Sequence, residues 1–181
     1  MDDEKIWIKA RMRHARIFAE KLILTRTITC SKTSNELTIT DEIENVGGEA
    51  SPLMVLYHMN MGYPLLSEAS ELYIPAAEIK PRNAHAAEDI DTWNKVLTPT
   101  PGFEEQCYYH VFQDKPGLAA IFNHDRGYGL AISFDSQSLD CFTTSWVSSP
   151  ATARPTAAIS CARTARSSSW PPAKQRPTAS V

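Results

Sequence analysis

From Ile6 to Phe142 apolar and polar residues alternate with a period close to two, the pattern of strands that bury one face. The run LILTRTITC (22–30) is rich in β-branched residues. After a polar loop, ELTITDEIEN (36–45) sets Leu37, Ile39, Asp41 and Ile43 against Thr38, Thr40, Glu42 and Glu44. Two such runs around a Ser/Asn-containing loop predict a hairpin. Asn45-Val46-Gly47-Gly48 then ends the second strand, with glycine expected to supply the positive φ of a tight turn. PLMVLYHMNM (52–61) is nearly continuously apolar, which predicts a strand buried on both faces. QCYYHVFQ (106–113), LAAIFNH (118–124) and GYGLAISFD (127–135) are three further strands, separated by the turn sequences Asp114-Lys115-Pro116-Gly117 and Asp125-Arg126-Gly127. Only HARIFAEKLIL (14–24) also fits a helix, with Ala15, Phe18 and Leu22 on one side. It has no cap and strand-like flanks, so it reads as strand–turn–strand. Residues 76–103, with Pro75, Pro81, Pro99 and Pro101, read as a long loop with a helical turn near His85–Ile90. The fold class is all-β, an antiparallel sandwich with long loops.

Composition changes this picture at one place. The 181 residues are 43% hydrophobic and 22% charged with net charge −3, as for one soluble domain. The last acidic residue, however, is Asp140. Residues 147–181 hold five basic residues and no acidic ones, and 28 of these 35 residues are Ala, Ser, Thr, Pro or Arg. The chain therefore divides into a β-sandwich domain, 1–146, and a low-complexity tail, 147–181, expected to be disordered or out of frame. No apolar run is long enough for a membrane helix, and MDDEKIWIKARMR lacks a signal-peptide core, so a cytoplasmic protein is expected. Cys30, Cys107, Cys141 and Cys161 have no C-x-x-C spacing, which points to reduced thiols and away from a zinc site. The acidic body has no basic stripe for nucleic acid. Phosphate-loop, dinucleotide-binding and nucleophile-elbow motifs are absent.

Two segments can carry chemistry. In Tyr57-His58-Met59-Asn60-Met61-Gly62-Tyr63-Pro64, His58 and Asn60 are two apart on a strand and share a face. His58 could exchange a proton while Asn60 orients a bound hydroxyl, and Gly62 and Pro64 end the strand near a sheet rim. A core histidine bonded to backbone is the alternative. In Glu104-Glu105-Gln106-Cys107-Tyr108-Tyr109-His110, alternation puts Glu104, Gln106, Tyr108 and His110 on one face and Glu105, Cys107 and Tyr109 on the other. This is either a polar, aromatic wall suited to sugar or a half-buried strand with a solvated face. No i,i+4 pair of ligands and no cysteine pair supports a metal site.

The ordered set L-T-R-x-I, D-E-I-E-N-V-G-G, P-L-M-V-L-Y-H-M-N-M-G-Y-P-L-L and E-Q-C-Y-Y-H resembles the aldose 1-epimerase (galactose mutarotase-like) superfamily, and more closely a bacterial branch known only as a domain of unknown function. The resemblance runs from about Ile6 to Phe142 and implies part of a β-supersandwich that binds a monosaccharide or sugar derivative in an open cleft. It implies that His58 protonates the ring oxygen of an aldose, with Asn60, Glu105 and His110 as sugar contacts. It implies no cofactor or metal, because mutarotation is proton transfer on the sugar itself. Relatives of this type have a long N-terminal portion before the segment that starts here, so the chain is expected to begin within the fold. Their catalytic glutamate follows the position of Trp146, where this chain has no acidic residue. The tail's bias resembles GC-rich coding sequence read out of frame. A weak or inactive epimerase-like protein is therefore expected; a non-catalytic carbohydrate-binding module and a small β-sandwich interaction protein without a sugar site are the alternatives. The oligomeric state is not indicated.

Overall fold

The computed structural model describes residues 2–113, 116–136, 139, 141–149, 154–164 and 178–180, with Cys141, 147–149, 154–164 and 178–180 described by backbone. In chain order the strands are β1 (Lys5–Ala15), β2 (Lys21–Ser31), β3 (Leu37–Asn45), β4 (Met54–Met61), β5 (Ser70–Tyr73), β6 (Glu78–Pro81), β7 (Gln106–Val111), β8 (Gly117–Asn123), β9 (Tyr128–Phe134), β10 (Cys141–Ser149), β11 (Arg154–Thr164) and β12 (Thr178–Ser180). One short helix, α1 (Ala84–Glu88), and a 3-10 turn at Ile90–Thr92 lie between β6 and β7. The chain forms two compact units, Met1–Met54 with Thr164–Val181, and Val55–Arg163. The pairings β1–β2, β2–β3, β3–β12, β5–β8, β6–β7, β7–β10, β8–β9 and β10–β11 are all antiparallel. The compositional break at Val147 falls within β10, and the low-complexity residues 150–153, 165–177 and 181 lie outside the described residues.

The first unit is a sheet of order β1-β2-β3-β12. HARIFAEKLIL is strand–turn–strand, as its flanks predicted: β1 and β2 pair from Lys5↔Ser31 to Ala15↔Lys21, and Arg16 N–H donates to Glu20 O to close the turn. Ile28 pairs with Ile39 and Leu24 with Ile43, so these rows of β2 and β3 are apolar. Between them the Arg26↔Asp41 row carries a bidentate ion pair, Nε to Oδ1 at 2.8 Å and Nη2 to Oδ2 at 2.6 Å, with the Asp41 side chain fully buried. A register slip would strand that carboxylate among apolar groups, so the pair ties β2 and β3 to one alignment. The 45–49 turn departs from expectation: neither Gly47 nor Gly48 has positive φ. The turn is instead an Asx arrangement, in which Asn45 Oδ1 accepts from Gly47 N–H (2.9 Å) and Nδ2 donates to Glu49 O (2.8 Å).

The second unit has a five-stranded sheet, β4-β11-β10-β7-β6, and a three-stranded sheet, β5-β8-β9. The predicted strands at 106–113, 118–124 and 127–135 are β7, β8 and β9, and Gly127 has the φ of 68° that its turn requires. The core is aromatic: Phe134 and Phe142 stack at 5.1 Å, and Phe112 meets each of them edge-on. The 76–103 segment contains the expected helical turn, α1, capped by Asn83 Oδ1 accepting from Ala86 N–H. It also contains β6, a strand the proline content argues against, since Pro75 precedes it and Pro81 is its last residue. No helix among the described residues is long and apolar enough to cross a membrane.

Candidate functional site

β4 is buried on one face only, not two as its apolar run predicted. Tyr57 and Met61 are 6% and 7% exposed, whereas His58 and Asn60, alternating with them, are exposed. β10 and β7 show the same one-sidedness. Their registers place Phe142 beside His110, Thr144 beside Tyr108 and Trp146 beside Gln106, and all six are buried. On the other side, Thr143 and Ser145 of β10 are half-buried and Tyr109 of β7 is exposed, beside Lys80 of β6. Across β10, β7 and β6 one side is thus dry, and the other presents Thr143, Ser145, Tyr109 and Lys80, with Cys107 buried among them; on β4, His58 and Asn60 are exposed.

The loop after β4 is pinned from below. Asn123, 1% exposed, directs Nδ2 at Pro64 O (3.1 Å), Leu65 O (3.2 Å), Ser67 Oγ (2.9 Å) and Ser70 Oγ (3.0 Å), while its Oδ1 accepts from Arg126 N–H. Ser70 Oγ in turn donates to Leu65 O at 2.7 Å. Gly62–Ser70 is thereby held against β8, which fixes where the His58–Asn60 strand ends.

Glu105 stands just before β7 and is tied to Arg82, just after β6, at 2.9 Å. This hydrogen bond raises the Arg82 pKa above its ordinary value. β11 and β10 lie between β4 and β7, so at about 4.8 Å per strand Glu105 is roughly 14 Å from the His58 strand. The Arg82 contact holds its carboxylate towards β6, away from β4.

His110 belongs to the dry side. It is 4% exposed, its Nε2 lies 2.9 Å from Thr144 Oγ1, and Trp93 and Phe142 meet its ring edge-on at 4.9 and 5.5 Å. Burial lowers its pKa to about 4. The expectation that His110 contacts sugar thus meets a ring enclosed in the core, because the face shared by Gln106, Tyr108 and His110 packs inward. Gln106, 1% exposed, anchors the 83–92 segment by donating to Asp89 Oδ2 at 2.6 Å. Tyr108 is fully buried, and its hydroxyl pKa rises to about 12, from burial first and then the Asp89 and Cys107 charges.

Of the four residues expected to form the site, the structure brings together His58 and Asn60, places Glu105 towards the far edge of the same sheet and encloses His110. Lys80, Arg82, Thr143 and Ser145 of the open side went unnoticed in the sequence. The alternation of Glu78, Lys80 and Arg82 was the signal available for the first two. Among the described residues there is no cluster of three metal-ligating side chains.

The model of a family described as a domain of unknown function, DUF4432, matches residues 1–154. No curated protein matches the chain. Among solved structures, a candidate aldose 1-epimerase from Klebsiella pneumoniae superposes with TM-score 0.84 at 20% identity, over 97% of this chain and 49% of that one. The Slr1438 protein of Synechocystis gives TM-score 0.69 at 15% identity, over 99% of this chain and 61% of that one. A galactose mutarotase-like protein from Clostridium acetobutylicum gives 0.69 at 12% identity, over 99% and 62%. The chain spans about half of the first of these and under two thirds of the other two. The chain therefore belongs to the DUF4432 family and has a galactose mutarotase-like β fold.

Proposed function

We propose that the open side of the β4-β11-β10-β7-β6 sheet binds a monosaccharide or sugar derivative, with His58 as proton donor to the ring oxygen and Asn60 as a hydroxyl contact. The observation that carries this reading is the pair itself: an imidazole and an amide, two residues apart, exposed together on the unpacked face of a strand in a mutarotase-like fold. An imidazole can give and take a proton near neutral pH, and a primary amide offers both a donor and an acceptor to adjacent hydroxyls.

Anomer interconversion needs a proton placed on the ring oxygen and another taken from the anomeric hydroxyl. The C1–O5 bond then opens, C1–C2 rotates and the ring recloses. His58 fits the first role. Glu105 does not fit the second, since it is paired to Arg82 and held away from β4. It fits an outer contact, reached by a substituent or a second ring lying towards Tyr109. Sugar binding with slow turnover is therefore the function proposed, and no step calls for a cofactor.

The test is unfolding of the full chain with and without a panel of hexoses, pentoses and their phosphates. A sugar at ten times its Kd stabilises the native state by about 1.4 kcal/mol. The stabilisation should shrink in His58→Ala and in Asn60→Ala. A panel without effect, or a shift that both variants leave intact, would overturn the proposal.

A further inference from the structure

The three-stranded sheet of the second unit, β5-β8-β9, has its two faces sorted by register. Tyr73 pairs with Ala120 and Ala120 with Ala131, while Glu71 pairs with Phe122 and Phe122 with Gly129. The residues alternating with them, Leu72, Ala119, Ile121 and Ile132, are buried, so these two rows lie on the face turned away from the core. There Tyr73 is 64% exposed and Phe122 44%. As diagonal neighbours on adjacent strands they are about 7–8 Å apart, above a floor of Ala120, Ala131 and Gly129. The glycine is needed where it stands. A Cβ at residue 129 would collide with Ile121 O and come within 3.1 Å of the Phe122 ring, which therefore lies towards β9 only because that position has no side chain.

A polar cluster borders the two rings. Leu72 N–H donates to Asn94 O at 2.9 Å, and Glu71 and Lys95 form an antiparallel bridge, which lays residues 94–95 along the outer side of β5. Glu71 Oε1 accepts from Asn94 Nδ2 and from Lys95 Nζ, both at 2.7 Å, and His124 Nε2 stands 3.7 Å from Oε2. The Lys95 hydrogen bond holds the Glu71 carboxyl below its ordinary pKa, so it is ionised at neutral pH. His124 also meets the Phe122 ring edge-on at 5.2 Å, which joins the cluster to the aromatic pair. The Lys95 and His124 side chains are mostly exposed. Covering these charges with another layer of the fold would cost their solvation, so this is a face built for water.

We propose that this face is a second carbohydrate site, taking an oligosaccharide of neutral pyranose rings with equatorial hydroxyls. Such a ring has bare C–H groups on its flat faces, which stack on an aromatic ring, and turns its hydroxyls sideways. Rings of one oligosaccharide set on Tyr73 and on Phe122 bring those hydroxyls to Glu71, Lys95 and Asn94. Glu71 Oε2 and Asn94 Oδ1 accept there, and the Lys95 ammonium has two further N–H groups to donate. Other occupants use less of what the face offers. An extended peptide finds the outer edge of β5 already taken by residues 94–95. An anionic membrane or a nucleic acid meets the ionised Glu71 carboxylate beside the rings. The site lies on a different sheet from His58 and Asn60, and it stands whether or not they bind sugar.

The probe is cellotetraose, added to the full chain and followed by NMR of the Asn94 Nδ2–H₂, Gly129 N–H and His124 Cε1–H signals. These should shift together and saturably. Tyr73→Ala and Phe122→Ala should each weaken binding about fivefold, as the loss of one stacked ring requires. Phe122→Tyr keeps the ring and should bind like the wild type, and His58→Ala should leave this binding unchanged. Both alanine variants remove exposed side chains, and protection of the Leu72 amide from exchange reports that the sheet is still formed. The proposal is overturned if cellotetraose moves none of the three signals, or if it moves them equally well in both alanine variants. It is likewise overturned if His58→Ala abolishes the shifts, or if they appear with rising protein concentration alone.

Discussion

His110 makes the second unit's stability depend on pH. In the unfolded chain its imidazole titrates near 6.5, and in the fold burial lowers this to about 4. The neutral ring has Thr144 Oγ1 at 2.9 Å from Nε2, and Nδ1 is buried without a hydrogen-bond partner among the described residues. Protonation would make both ring nitrogens N–H donors, with no acceptor at Nδ1, between the edges of Trp93 and Phe142. The folded state thus resists the proton that the unfolded state accepts. The stabilisation is complete above pH 6.5 and is lost progressively as pH falls towards 4. At about 1.4 kcal/mol per pH unit, the gap amounts to about 3 kcal/mol. Urea unfolding of the wild type and of His110→Phe, measured between pH 8 and 4, isolates it. The variant gives up the Thr144 hydrogen bond, about 1 kcal/mol at neutral pH, but has no imidazole to charge. Acidification should therefore cost the wild type about 3 kcal/mol more than the variant, with carboxylate titrations common to both. Parallel pH profiles, or an NMR titration of His110 centred near 6.5, would refute the reasoning.

Other perturbations have signs that the contacts determine. Asp41→Ala removes a fully buried carboxylate from Arg26, and because Arg26 remains a third exposed the cost in urea unfolding should be about 2–3 kcal/mol, below that of a fully buried pair. Asn123→Asp replaces an amide donor facing four oxygens with a carboxylate. It should destabilise by about 3 kcal/mol or more and speed amide exchange across 62–70, whereas Asp125→Asn on the exposed turn should do neither. Gly117→Ala drives a methyl group into the Phe134 ring, which is stacked on Phe142, and should cost about 1–3 kcal/mol by thermal unfolding.

What the sequence made legible, and what it hid, follows from the range of the forces involved. Period-two alternation and turn chemistry are local, and they located β2, β3, β7, β8 and β9 and resolved HARIFAEKLIL as a hairpin. The two-sided burial expected of β4 failed because an apolar run says nothing about whether a second layer covers it. Met54 and Leu56 are 73% and 60% exposed on the same face as His58. The sorting of 104–110 into two faces was right, but which face is dry is decided by Phe142, Thr144 and Trp146, more than thirty residues away. That is why His110 looked like a ligand contact and sits in the core. Likewise, the Asn45 turn looked like a glycine turn because its Asx hydrogen bonds leave no mark in composition.

The most direct measurement is NMR of the full chain, with the side-chain signals of His58 and Asn60 followed as a hexose is added. Sugar held on the open sheet face should shift the His58 Cε1–H and Asn60 Nδ2–H₂ signals together and saturably, with the buried His110 signals still. Shifts confined to residues off this face, or none with any sugar that stabilises the fold, would contradict the assignment of His58 and Asn60 as the centre of the site.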